Sequence, residues 1–209
     1  MSKVVPIIIT IIIIILSSSS SSSSSSTSYF NIPKTLQQDA SHNFNTASSQ
    51  FLSVHIDYIN PETPLTVFVP DDHAFADASA AGYKTLPIEK KYFVLKCHMI
   101  SEYLPPSLLR NTANVWWHLE ATVATEILEN QKYMLNFSAT VNGSVAVSNT
   151  YVQAIVTRTI YDCSPIAVYG VTKVLLPRDF PDISPPPLPD ISPPPLKTAD
   201  VSAAAVCGF

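Results

Sequence analysis

Between residues 44 and 58 apolar side chains recur in steps of three and four, at Phe44, Ala47, Phe51, Val54 and Tyr58. This is the spacing of one helical face and predicts a helix packed on a core. Pro61 and Pro64 of NPETP end it, and the alternating stretch Leu65 to Val69 predicts a strand. A second helix is expected over LPIEKKYFVLKCHM, where Pro87 suits a first turn and Glu89 favours the N-terminal end. Ile88, Tyr92, Leu95 and Met99 would form its apolar face, and YLPPSLL stops it. From Tyr133 the period changes to two: Tyr133, Leu135, Phe137, Ala139 and Val141 alternate with polar residues, as in a half-buried strand. Asn142-Gly143 signals a hairpin into SVAV, and two further strands are expected near Tyr151 to Tyr161 and Ile166 to Leu176. The last is apolar on both faces and so should be central or covered on both sides. Helices early and strands late predict an α+β domain.

The two ends read differently. One lysine precedes an apolar run from Val4 to Leu16, followed by ten serines, Ser17 to Ser26. This is the layout of a secretory signal, and the run is shorter than the roughly 20 residues of a membrane-spanning helix. Cleavage would release the protein outside the cell; retention of the segment would hold it at the plasma membrane. At the other end PDISPPPL occurs twice without change, from Pro181 and from Pro189. Such a segment favours extended polyproline II conformation and acts as a spacer. The terminal VSAAAVCGF is too short for a glycolipid anchor signal, so none is expected. The expected organisation is a signal and serine-rich leader over 1–28, one globular domain over 29–180, and a proline-rich tail over 181–209.

Composition narrows the functional classes. Of 209 residues 46% are hydrophobic and only 13% charged, with a formal charge of −4 and no basic stripe. Nucleic acid is thereby excluded as an expected partner. The three cysteines, Cys97, Cys163 and Cys207, lack the paired spacing of a zinc site. Secretion permits a disulfide, and Cys97 with Cys163 is the pair inside the domain. Two glycosylation sequons begin at Asn136, on the polar face of the alternating strand, and at Asn142, in the turn.

The stretch LTVFVPDDHAF carries the densest candidate chemistry. Asp71, Asp72 and His73, joined by His98, could serve a secreted hydrolase or a metal-dependent enzyme. The structural reading is simpler. Pro70 ends the strand, Asp71 or Asp72 caps the next helix, and Phe75 turns into the core. His98 ends an amphipathic helix, where a histidine can meet exposed carbonyls. Trp116, Trp117 and His118 form an aromatic cluster suited to packing or stacking. There is no nucleophile elbow, no phosphate-binding glycine loop and no metal signature. Neither catalysis nor a cofactor is expected.

LTVFVPDDHAF, LKCHMISEYLPPSLL and IAVYGVTKVLLPRDF, in this order and separation, resemble the three signatures of the fasciclin-like domain over about Phe44 to Phe180. With the leader and the proline-rich tail, the chain is most similar to the plant fasciclin-like arabinogalactan protein family. The resemblance implies a single α+β domain, a wedge-shaped β-sandwich with attached helices, acting in adhesion and wall organisation without catalysis. Thr66, Phe68, Pro70, Asp72, Ala74 and Phe75 match the first signature. His98 matches the histidine of a tyrosine-histidine pair implicated in adhesion, but Cys97 replaces the tyrosine, which implies a gained disulfide to Cys163. Val168, Tyr169, Val171, Lys173, Val174, Leu175, Leu176 and Pro177 match the third, with Thr172 in place of a usual aspartate. Asp72, Phe75, His98 and Tyr169 are the adhesion-signature residues so implied. The contiguous SPPP of the tail looks extensin-like, so short arabinosides are expected there. The expected partners are cell-wall polysaccharide, an extracellular protein or a second copy of the chain.

Overall fold

Residues 29–115 and 119–180 are described by the structure, a computed structural model. The apolar leader, the serine run, Trp116, Trp117 and His118, and the proline-rich tail with Cys207 lie outside the described residues. The chain begins with strand β1 (Phe30–Asn31), helices α1 (Ile32–Gln37) and α2 (Asn45–Ser53), and strand β2 (Tyr58–Ile59). Next come β3 (Leu65–Pro70), α3 (Asp72–Ala80), α4 (Ile88–Lys96), β4 (Met99–Ile100) and α5 (Pro106–Ala113). Then follow β5 (Leu119–Glu120), α6 (Val123–Leu128), β6 (Leu135–Ala139), β7 (Val145–Ser148), β8 (Gln153–Cys163) and β9 (Ile166–Val171). The expected α+β class is the observed one.

Seven strands form one mixed sheet in the order β4-β3-β9-β8-β7-β6-β5, while β1 and β2 pair separately. Among the described residues its single parallel pair is β3 with β9, in register from Leu65 opposite Ile166 to Pro70 opposite Val171. β8 belongs to both halves. Its first residues pair with β7, and from Val156 onward it pairs with β9 across two register shifts. Such bulges bend a strand and increase its twist, and here they fold the sheet so that its two halves share one core. An isolated bridge between Ile100 and Thr122 links the β4 side to the chain just after β5, which covers the short edges.

Alternation along β3 and β9 explains why both are buried throughout. Leu65, Val67, Val69, Ile166 and Val168 face a core made with α1 to α4. Phe68, Ala167, Tyr169 and Val171 face a second core with Leu135, Phe137 and Val147 from the other half-sheet and Leu109 from α5. The Phe68 ring lies 5.7 Å from Phe137 and 5.8 Å from Tyr169. Full burial of such a ring stabilises by roughly 3 kcal/mol, and each aromatic pair adds about 1 kcal/mol. Gly170 sits where the start of α2 meets this sheet: a Cβ there would lie 2.7 Å from Phe44 Cζ, so any larger residue requires the buried Phe44 ring to shift.

Several expected boundaries shift. The first helix stops at Ser53, and Tyr58 is exposed in β2 rather than on a helical face. In α4 the buried residues are Phe93, Val94 and Leu95, whereas Ile88 and Tyr92 point outward. The helix is wedged between two apolar clusters, with Val94 and Leu95 in one and Phe93 in the other, so its buried arc is wider than one stripe. Pro105 and Pro106 end nothing: they open α5, where a missing N–H costs no hydrogen bond. The hairpin does turn at Asn142-Gly143. Thr140 O accepts from Gly143 N, Thr140 N donates to Ser144 O, and Gly143 has φ +77°. This is a three-residue loop with glycine in the left-handed position.

Candidate functional site

The acidic corner of the first signature is a double helix cap. Asp71 is the N-cap of α3, its Oδ1 accepting from Ala74 N at 2.7 Å. Asp72 occupies the first turn of α3 but caps a different helix. Its Oδ1 accepts from Thr46 N at 2.7 Å, and its backbone N–H donates to Asn43 O. α2 has no cap of its own, because Phe44 stands at its N-cap position. Two adjacent carboxylates therefore satisfy the first-turn amides of two helices and place negative charge at both positive helix ends. His73 is exposed and lies 3.5 Å from Asp77, one turn on. Phe75 is buried against the Tyr83 ring.

His98 is fully buried beside β3. Its Nδ1–H donates to Val94 O at 2.7 Å, and its Nε2 accepts from Leu175 N at 2.9 Å. Its own carbonyl accepts from Phe68 N. Both ring nitrogens are used in the neutral tautomer, as their partners require. Burial pushes the imidazole pKa down to about 4, opposed in part by the bond to Val94. The ring thus latches the end of α4 to the chain that leaves β9. Tyr169 makes a similar tie from β9, its hydroxyl donating to Leu104 O at 2.6 Å, and burial raises its pKa.

The signature residues Asp72, Phe75, His98 and Tyr169 are thus placed within caps, cores and latches. Asp71, Asp72, His73 and His98 do not converge, and among the described residues no group of three or more His, Cys, Asp or Glu is placed to hold a metal ion. The anticipated Cys97–Cys163 bridge is not formed. Both thiols are free, Cys97 buried with Phe93, Ala124 and Tyr133, and Cys163 exposed at the end of β8. Burial pushes the Cys97 thiol up to about 12 and keeps it protonated. Of the sequon asparagines, Asn142 is exposed in the hairpin turn, and Asn136 is half-buried in β6 between Leu119 and Ser148.

One surface feature escaped the reading of motifs. Residues after β9 and the β7–β8 turn wall a cleft of about 150 Å³, which includes Lys132, Asn149, Tyr151, Arg178 and Asp179. Only the turn chemistry of Asn149 hinted at it. Asn149 Oδ1 accepts from Tyr151 N and Val152 N, a side-chain turn that short polar residues favour. Among the described residues no helix is long and apolar enough to cross a membrane.

A fasciclin domain model matches residues 37–177 of the chain. The sequence is 41% identical over 152 residues to fasciclin-like arabinogalactan protein 4 of Arabidopsis thaliana, covering 69% of this chain and 35% of that protein. It is 29% identical over 130 residues to fasciclin-like arabinogalactan protein 12 of the same plant, covering 61% of this chain and 49% of that protein. The chain therefore spans a third to a half of the length of these relatives. A solved FAS1 domain pair from the insect cell adhesion molecule fasciclin I superposes with a TM-score of 0.53 over 71% of this chain and 51% of its own, at 15% identity. That likeness concerns the fold alone. With all three signatures seated at its corner, latch and central strand, the chain belongs to the fasciclin domain family.

Proposed function

We propose that this is a secreted glycoprotein that acts in cell adhesion and cell-wall organisation by binding rather than by catalysis. The observation that carries the reading is the 41% identity with a fasciclin-like arabinogalactan protein over 152 residues. The use of the candidate catalytic side chains as caps and latches supports it. Wall polysaccharide, an extracellular protein or a second copy of the chain is the partner class. Asn142, exposed at a hairpin tip, is the better glycan acceptor, and Asn136 the more hindered one.

The test is the intact mass of the non-reduced protein recovered from secreting plant cells, before and after removal of N-glycans, followed by sedimentation with wall polymers. The expected product starts beyond the isoleucine run, loses mass on deglycosylation and co-sediments with wall material. A product that keeps IIITIIIIIL, carries no glycan and binds neither polymer nor itself would overturn the reading.

A further inference from the structure

The cleft beside Tyr151 is walled by parts that hydrogen bonds hold in place. Asn149 orders the turn that presents Tyr151, and its Nδ2 donates to Leu176 O at 3.1 Å. Tyr133 Oη donates to Asp179 O at 3.3 Å, and His98 Nε2 fixes Leu175. The turn on one side and residues 175–179 on the other are therefore tied together before any ligand arrives, and such preorganisation lowers the entropy cost of binding. Arg178, on the second of these walls, and Lys132 bring two cations to the lining of the cleft. The Arg178 guanidinium lies 5.7 Å over the Tyr151 ring, and neither it nor Lys132 has an ion-pair partner among the described residues. Tyr151 keeps 53% of its surface exposed.

We infer that this cleft binds a uronate residue of an acidic polysaccharide, which rests on the polymer-binding role proposed above. A planar carboxylate suits the guanidinium fork, and Lys132 adds a second positive charge. The exposed part of the Tyr151 ring not covered by Arg178 offers apolar surface to the C–H groups of a pyranose, and the Asp179 carboxylate accepts from sugar hydroxyls. The cleft is open to solvent, which lets a longer chain continue. An inorganic anion would use the cations but not the exposed surface of Tyr151.

The experiment is a calorimetric titration of the full secreted chain with galacturonic acid oligomers, against galactose oligomers and citrate at matched ionic strength. The galacturonic oligomers are expected to bind with an affinity that falls as salt rises, and the galactose oligomers not to bind. Combined Lys132→Ala and Arg178→Ala should weaken binding by about tenfold or more. Tyr151→Ala should weaken the oligomer while leaving any citrate binding unchanged. Lys34→Ala, a cation on α1, should leave it unaltered, and all variants should stay folded with unfolding midpoints within a few degrees of wild type. Unchanged affinity in the double variant, or citrate binding as tightly as the oligomer, would overturn the site. If wall polymers sediment equally with wild type and double variant, the adhesion reading stands and this site falls. If wild type binds no polymer at all, this site falls, and the adhesion reading falls with it only if the chain also fails to bind itself.

Discussion

The His98 latch and the Tyr151 cleft are joined by a few residues of chain, yet they are opposites. The latch is buried, neutral and has both ring nitrogens bonded. The cleft is open, charged and has two cations without ion-pair partners among the described residues. The first lies on positions matched to the family signatures; of the cations of the second, Arg178 follows the last matched position of the third signature and Lys132 lies between signatures. The difference teaches that the residues by which this fold is recognised hold the scaffold, and that the surface they hold is where binding chemistry is available. Leu175 is the hinge between the two, since the amide that His98 accepts from belongs to the segment that leads to Arg178.

The largest effect should follow from breaking the latch. His98→Ala leaves the Leu175 amide without its acceptor, takes one of two donors from Val94 O, which keeps the bond from Cys97 N, and opens a cavity, at a cost of about 4 kcal/mol. Urea unfolding measures it. A loss below about 1 kcal/mol would mean that the two bonds are replaced by water and that the latch is dispensable.

Protonation should break the same latch more gently. The imidazole titrates near 6.5 when unfolded and near 4 in the fold. Because the folded pKa is depressed, the contribution of neutral His98 is complete above 6.5 and is lost as pH falls through that window toward 4. Roughly 3 kcal/mol should disappear over this range. Carboxylates also titrate there, so the informative quantity is the difference between wild type and His98→Gln. Parallel stability curves for the two proteins would refute the assignment.

Smaller still are the caps. Asp71→Ala and Asp72→Ala should each cost about 1 kcal/mol, because each leaves one helix start without its acceptor. The first should weaken α3 and the second α2, so amide exchange should quicken near Ala74 in one variant and near Thr46 in the other. Equal exchange at both sites in both variants would mean that the corner acts as one unit.

Much of this was legible because it depends on local period. The strand Leu65 to Val69, the central position of β9 and the alternation through Leu135, Phe137 and Ala139 follow from which side chains share a face. The cap by Asp71 is local too. The cap by Asp72 on Thr46 is not, because the partners are 26 residues apart and no short-range pattern records them. Nor does periodicity tell how many neighbours a helix has. The arc of α4 through Phe93, Val94 and Leu95 defeats a single-stripe reading because clusters press on two sides. The cleft was invisible for the same reason: Lys132, Tyr151 and Arg178 come from three separate segments and meet only when the fold is closed.

The smallest effect on stability should come from the cleft itself, and that makes it the sharpest discriminator. Lys132 is exposed and Arg178 rests on an exposed ring, where a cation–aromatic contact is worth about 0.5–1 kcal/mol. Arg178→Ala should therefore shift unfolding by no more than about 0.5–1 kcal/mol, and Lys132→Ala by less than about 0.5 kcal/mol. His98→Ala should do the reverse: a large loss of stability, with any loss of oligomer binding at low temperature arising because the wall from Leu175 to Asp179 is no longer held. The combination decides which residue acts on what. If Arg178→Ala destabilises the fold as strongly as His98→Ala, the guanidinium belongs to the scaffold and the contrast between the two regions collapses. If it leaves the fold intact while binding fails, the latch positions and the cleft binds.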